Sequence, residues 1–471
     1  MLLQEISAVS AAQSIFWILL PCVLFAPLRW SILAWLAMGN LDTTGPISSV
    51  TDAVGWMNAS KGILIPLYLW WRLRSTRNER VPPLPANLWM LFVLYATIAS
   101  LWSPFPLAAA KLVGNLVGNL LTFVVLLKSA RSGLLDGKEI KVLILVTLGL
   151  GALQTFYYGG VAYGFDGSDR PPRFSSFVGA QEYAAFLVAF LAIALWHKAF
   201  SVRTRVGLIA AIGTALILNG SRTWFLGATL VLLVYVVLSF RKVVASIALV
   251  AMGLGFGVLF VLNFDPMESD VLIDPSSRIA ATLSALVTGQ DTPQNVGLSN
   301  LNFRLAIYGK VVEELRDASA IKLMFGHGTS SGGNVVLRVF PRAYKAEGLD
   351  PNRSIHSEWL RVLYEWGIAG FVLLVAILAT LVFELARRSE KSSGRIGSPA
   401  VFSFLPAFLL AFSSENLIAS AGNAVTMSLA LMVALSWSPK LRRPALAVAQ
   451  YSATASAGRD VHPIRRWKFS F

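Results

Sequence analysis

Three arginines and one histidine are the residues of this chain whose type and setting could do chemistry. Arg222 lies in Asn219-Gly-Ser-Arg222-Thr between two apolar stretches, Arg173 directly precedes another, and Arg304 sits in a long polar segment. An arginine held at membrane depth is costly and usually faces an anionic partner. The alternative for each is snorkelling to lipid headgroups or a structural ion pair. Arg170 and Arg278 read as solvated loop charges. His356, in Ser354-Ile355-His356-Ser357-Glu358, stands where the long segment gives way to an apolar one. A histidine titrates near neutral pH and can take a proton there. Glu358 could share that role or hold the imidazole, and the alternative is an interfacial histidine with a polar partner. His327, in the turn Gly326-His327-Gly328, is a weaker candidate of the same kind.

Other chemistries leave no trace. The chain has no phosphate-binding Walker loop and no His or Cys spacing that suits a metal. Its one cysteine, Cys22, permits no intrachain disulfide. No cofactor is expected.

The elements that must position these residues are membrane helices. Hydrophobic residues make up 55% of the chain and charged ones 14%, with a mean hydropathy of +0.63, where a soluble protein carries about a quarter charged residues. The apolar blocks have the length that crosses a bilayer. Candidate spans are 14–38, 54–72, 87–103, 107–127, 139–159, 179–197, 205–219, 223–239, 243–262, 359–384, 400–419 and 422–438. The first is interrupted by Pro21, Pro27 and Arg29, which suggests a kinked helix or a helix plus a re-entrant piece. Gly114 and Gly118 form a small-residue pattern that lets helices approach closely.

The net charge of +15 would suggest nucleic acid in a soluble protein, but here it has another source. Basic residues gather after every second span: Arg72 to Arg80, Lys128 to Lys141, Lys198 to Arg205, Arg241–Lys242, Arg387 to Arg395, and the tail from Lys440. Cytoplasmic loops retain Lys and Arg, so both termini are expected in the cytoplasm and no nucleic acid is implied. The arginines and His356 then share the outward side. The expected organisation is all-α: membrane helices over 1–262, a large outward loop over 263–357, further membrane helices over 358–438 and a basic tail over 439–471. In the loop, Leu301, Leu305, Tyr308, Val312 and Leu315 recur at helical spacing and predict an amphipathic helix. Gly-rich turns are expected at 326–328 and 332–333.

Five segments, in order, resemble the superfamily of O-antigen ligases and Wzy-type polysaccharide polymerases. They are Arg173-Phe-Ser-Ser-Phe before a span, Asn219-Gly-Ser-Arg222-Thr-Trp-Phe-Leu-Gly227, Phe303-Arg304-x-x-x-Tyr308, Leu323-Met-Phe-Gly326-His-Gly328, and His356-Ser-Glu-Trp-Leu360 running on to Glu365, Gly367 and Gly370. The first departs from the family pattern, with Ser176 where glycine is common and Gln181-Glu182 where asparagine is expected. The resemblance implies a GT-C-like membrane glycosyltransferase, independent of metal, at the periplasmic face of a bacterial inner membrane. Its donor would be an undecaprenyl-diphosphate-linked oligosaccharide, and its acceptor either another repeat unit, as in a polymerase for surface or secreted polysaccharide, or lipid A–core, as in the ligase. Arg222 and Arg304, assisted by Arg173, would bind the diphosphate, and His356 with Glu358 would serve the acceptor hydroxyl. The resemblance also implies the lipid bilayer and other polysaccharide-assembly proteins as partners, and the basic tail from Lys440 could touch anionic lipid or a partner protein.

A transporter or lipid-linked sugar flippase is the alternative of another class. Transporters show paired halves with functional charges near the midplane, whereas here the long loop follows the ninth span and the charges gather at the outer interface.

Overall fold

The computed structural model describes residues 2–41, 57, 59–74, 83–158, 174–239, 296–339, 355–389, 397–414 and 424–436. Among them the regular structure is helical, apart from an isolated parallel bridge between Leu41 and Phe177. The helices are α1 (Leu2–Phe25), α2 (Leu28–Met38), α3 (Ile65–Leu73), α4 (Pro83–Ala99), α5 (Pro106–Arg131), α6 (Gly137–Tyr158), α7 (Ala180–Trp196), α8 (Val202–Asn219) and α9 (Arg222–Ser239). They continue with α10 (Val296–Arg316), α11 (Ala320–Phe325), α12 (Gly332–Val339), α13 (Glu358–Ser389), α14 (Gly397–Ser414) and α15 (Ala424–Ser436). Five of these segments are long and apolar enough to cross a membrane, and shorter apolar helices accompany them. The span expected at 243–262 and the tail 439–471 fall outside the described residues.

The centre is α7. Tyr183 to Leu195 are buried without interruption, which requires neighbours on every side. These are α8, α9, α14 and α15. Lipid tails are as apolar as leucine, so helices associate in a bilayer through close packing rather than through water exclusion. The alanines at 184, 185, 189, 192 and 194 supply the small surface that such packing needs. One close glycine crossing is between α9 and α14, where a Cβ on Gly227 would stand 3.0 Å from that of Ala407. A Cβ on Gly114 would meet the Ile63 side chain at an ordinary 3.5 Å, so no tight approach is made at Gly114, while Gly118 is buried.

The first expected span is two helices. The chain breaks at Pro27, and α2 packs back along α1. Carbonyls left open at the end of α1 are taken up by Tyr68 Oη to Leu24 (2.6 Å) and Arg72 Nη2 to Ala26 (3.0 Å). Arg29 pairs with Glu139 at 2.9 Å at the same end of the bundle. The start of α1 therefore points toward the opposite end, the one holding Asn40. A cytoplasmic N-terminus, which counted 14–38 as one crossing, no longer follows.

The loop helix also differs in phase. Ile307 and Val311 of α10 are buried, with Tyr308 and Leu315 packed beside them, against Val335 and Val336 of α12, Ile355 and Tyr364. Leu305 and Val312 are exposed at 53% and 46%, so the buried stripe is 307, 308, 311 and 315 rather than the one predicted. Gly332 and Gly333 open α12 instead of forming a turn.

Candidate functional site

Two anchors gather the predicted residues at the end of the bundle away from Arg29. The first joins the surroundings of Arg173 and Arg222. Asn219 closes α8 and donates its amide to the carbonyls of Phe174 (2.8 Å) and Ala180 (2.9 Å), while its Oδ1 accepts from the Ser221 N–H at 3.2 Å. The Phe174 N–H in turn reaches the Leu218 carbonyl at 3.2 Å. Gly220 then takes a left-handed conformation (φ 65°), and α9 begins with Arg222. The residue after Arg173 is thus bonded to one three positions before Arg222. Arg173 itself, and the Arg222 side chain, lie outside the described residues.

The second anchor is Tyr308. Its hydroxyl lies 2.6 Å from the His356 carbonyl and 3.3 Å from that of Ser413, in reach of donating to either. Arg304 stands one helical turn before Tyr308 on α10 and is half-buried. His356 has a positive φ of 57°, a conformation that a non-glycine residue adopts at a cost. Its side chain is also half-buried. The two anchors meet through α14. The Gly227–Ala407 contact, in antiparallel register, brings the start of α9 alongside the Phe412–Ser413 end of α14, whose last carbonyls Tyr308 reaches.

Glu358 follows a different course. It is fully buried at the start of α13, where its Oε1 lies 3.4 Å from Arg361 Nη1. Arg361 also reaches Glu365 at 3.2 Å, and Glu365 accepts the backbone N–H groups of Ser330 (2.8 Å) and Gly332 (3.3 Å). One guanidinium therefore stands between two buried carboxylates, and the second carboxylate is compensated by loop amides. That is the condition under which buried charges are tolerated.

This cluster fastens the loop between α11 and α12 to the membrane helices. The N–H groups of His327 and Gly328 reach the carbonyls of Tyr364 (2.9 Å) and Glu365 (3.0 Å). Thr329 donates its hydroxyl to the Ala96 carbonyl at 2.6 Å and accepts from Trp366 Nε1 at 2.9 Å. Ser103 Oγ donates to the Thr329 carbonyl at 2.6 Å. The approach is backbone on backbone: a Cβ at Gly326 would stand 2.2 Å from the Glu365 carbonyl oxygen, and one at Gly367 would stand 2.5 Å from that of Met324. Gly367 has φ 62° and ψ −166°, which breaks α13 where the loop docks.

Sequence reasoning did not single out Arg361, Asn219 or Lys61. A signal for Arg361 existed: Glu358, Arg361 and Glu365 are spaced i, i+3 and i+7 at the entry of an apolar span, where an unneeded charged stripe is costly. Lys61 is buried in a short π-helical turn (Ser60–Leu64), a feature frequent at functional sites. Its ammonium donates to the Leu41 carbonyl, next to the bridge with Phe177.

His327 stacks face to face on Tyr364, with ring centroids 4.2 Å apart and planes 6° from parallel. Burial lowers its pKa below the ordinary histidine value; the hydrogen bond to the Tyr364 carbonyl opposes this without reversing it.

Residues 206–375 match the family model Wzy_C, described as O-Antigen ligase. The matched stretch runs from within α8 to the middle of α13 and so takes in Asn219, Arg222, Arg304, Tyr308, His356 and the Arg361 cluster. No curated protein matches the chain in sequence.

Proposed function

From the premise that residues 206–375 place this chain in the O-antigen ligase/Wzy superfamily, membrane enzymes that join or polymerise glycans, we propose that it polymerises undecaprenyl-diphosphate-linked oligosaccharide repeat units into a surface or secreted polysaccharide. The reaction takes place at the periplasmic face of a bacterial inner membrane, with the basic C-terminal tail in the cytoplasm. The observation that supports this reading is the convergence of two anchors, Asn219 and Tyr308, which hold Phe174 and the start of α9 at the end of the bundle that carries Arg304 and His356.

In this proposal the acceptor hydroxyl oxygen attacks the anomeric carbon of the donor. The bond from that carbon to the diphosphate oxygen breaks, and its electron pair leaves with the lipid diphosphate. Arg222 and Arg304, with Arg173, bind the phosphate oxygens in pairs and stabilise the charge as it develops, the task a divalent cation performs elsewhere. His356 takes the proton from the acceptor hydroxyl. Glu358, buried and paired with Arg361, acts from behind it by fixing the start of α13 two residues on.

Ligation to lipid A–core is the second reading, since the same donor chemistry serves either acceptor. A clean deletion, complemented with wild type or with Arg222→Ala and followed on glycan gels, separates the two. Single repeat units accumulating, with long glycan restored only by wild type, supports polymerisation. Polymer formed but missing from lipid A–core assigns the ligase. Unchanged glycans in the deletion, with no redundant enzyme present, would remove both.

A further inference from the structure

Beyond the anchored end, α10, α11 and α12 enclose a second feature, a cavity of about 1050 Å³ open to the outside. Its floor is the fastened loop, contributed by His327 and Ser331, and its rim includes Trp102, Phe325 and Asn334. The charged groups on its wall are balanced, with Lys310, Lys322 and Arg338 against Glu313, Glu314 and Asp317. Four of the six are paired, Lys310 with Glu313 at 2.7 Å and Arg338 with Glu314 at 2.9 Å, while the Tyr364 hydroxyl donates to Glu314 at 2.7 Å.

Such a wall has no net charge with which to attract a diphosphate or a cation. Among the described residues no three His, Cys, Asp or Glu come together as a metal site would need. What it offers is a dense alternation of hydrogen-bond donors and acceptors beside exposed ring surface, Trp102 and Phe325 being 42% and 47% exposed. Ser331 is 2% exposed, and its hydroxyl has no hydrogen-bond partner among the described residues. A ligand rich in uncharged hydroxyls, with apolar ring faces, satisfies all of these groups at once. The floor is preformed, since Glu365 holds the amides of Ser330 and Gly332, so little ordering is needed on binding.

We propose that this cavity is a binding site for an uncharged oligosaccharide, separate from the reacting end. By helix geometry, Glu313 stands roughly 13 Å further along α10 than Arg304 and on its opposite side. The apolar layer of Ile307, Val311, Val335 and Val336 packs between α10 and α12. The inference rests on the glycan-transfer reading: the site would hold a stretch of the glycan several sugars away from the bond being made. Cavity size accommodates this, because pockets for single small ligands run from about 300 to 1,000 Å³.

The test uses the full-length protein in detergent with two delipidated probes: the oligosaccharide released by mild acid from the host's own lipid-linked repeat unit, and the host's core oligosaccharide. Binding is measured by calorimetry for wild type, for Glu313→Ala/Asn334→Ala, and for Arg304→Ala. Glu313 is 58% exposed at the side chain and pairs with Lys310, so the double variant should keep its thermal unfolding midpoint. The proposal expects one of the probes to bind wild type and Arg304→Ala alike, and to bind the cavity variant about tenfold more weakly. Repeat-unit binding identifies the polymer as the source, and core binding identifies the ligase acceptor. Binding of neither probe, equal binding to the cavity variant, or loss on Arg304→Ala would each overturn it. Glycan assembly in cells by the Arg304→Ala variant is scored separately. Normal assembly there would remove the glycan-transfer mechanism without touching the binding result.

Discussion

Two regions at the end of this bundle away from Arg29 are built on opposite plans. Around Gly326 and Gly367 the loop is fastened by backbone contacts, three buried charges and side chains from two membrane helices. Around His356 one phenol hydroxyl bridges the carbonyls of His356 and Ser413, and His356 holds a positive φ. In the first region the buried Arg361, Glu358, Glu365 and Thr329 hold one another and the loop amides in place. The second keeps Arg304, Tyr308 and His356 half-buried, within reach of a large substrate. Under the proposed function the difference is a division of labour: the fastened loop would set where α10 and α13 stand, and the seam at His356 would do the chemistry.

Substitutions can break this comparison in order of severity. Gly326→Ala places a Cβ against the Glu365 carbonyl at a φ of 82°, and should cost about 4 kcal/mol or more, seen as loss of folded protein after detergent extraction. Arg361→Ala leaves Glu358 and Glu365 buried without their cation and should cost about 3–5 kcal/mol in thermal unfolding. If it melted like wild type, the cluster would not be what holds the loop. On the other side of the comparison, Arg304→Ala should leave the melting temperature unchanged while lowering transfer about 10²- to 10³-fold. Tyr308→Phe removes one hydroxyl and should lower transfer about five- to tenfold with little change in stability.

The smallest effect concerns pH. Burial lowers the His327 pKa, so below the ordinary histidine value the unfolded chain takes up a proton that the folded one resists. That contribution is complete above the ordinary value and is lost as pH falls toward the lowered one. His327→Phe keeps a ring over Tyr364 and removes the titration. Its melting temperature should therefore fall less than that of wild type between neutral and mildly acid pH. Parallel curves would show that the ring is not held in its neutral form.

Much of the scaffold was legible because membrane helices announce themselves locally. Apolar length located α4 to α9 and the spans from α13 onward, and the basic residues marked one end of the bundle. The first span misled because Pro27 can kink a helix or end it, and only Tyr68 and Arg72, more than 40 positions away, decide the matter. The phase of α10 was misread because Leu305 and Val312 are as apolar and as helically spaced as Ile307 and Val311. Only the position of α12 chooses between the stripes. The fastened loop was invisible for the same reason, since Thr329 meets Ala96 across more than 200 residues. The candidate site residues could be picked only by type, as charged or titratable residues beside apolar stretches, and their roles rest on the proposal. Arg361 and Lys61 were hidden by burial: each sits inside an apolar stretch whose partners are remote carbonyls or carboxylates.

The most direct test of this division is turnover in proteoliposomes supplied with the lipid-linked repeat unit, reading release of lipid diphosphate for wild type and for His356→Ala at matched folded abundance. The expected result is release coupled to glycan transfer by wild type, and at least about a hundredfold less by the variant, whose melting is unchanged. Release by His356→Ala at the wild-type rate would contradict the assignment of chemistry to the seam.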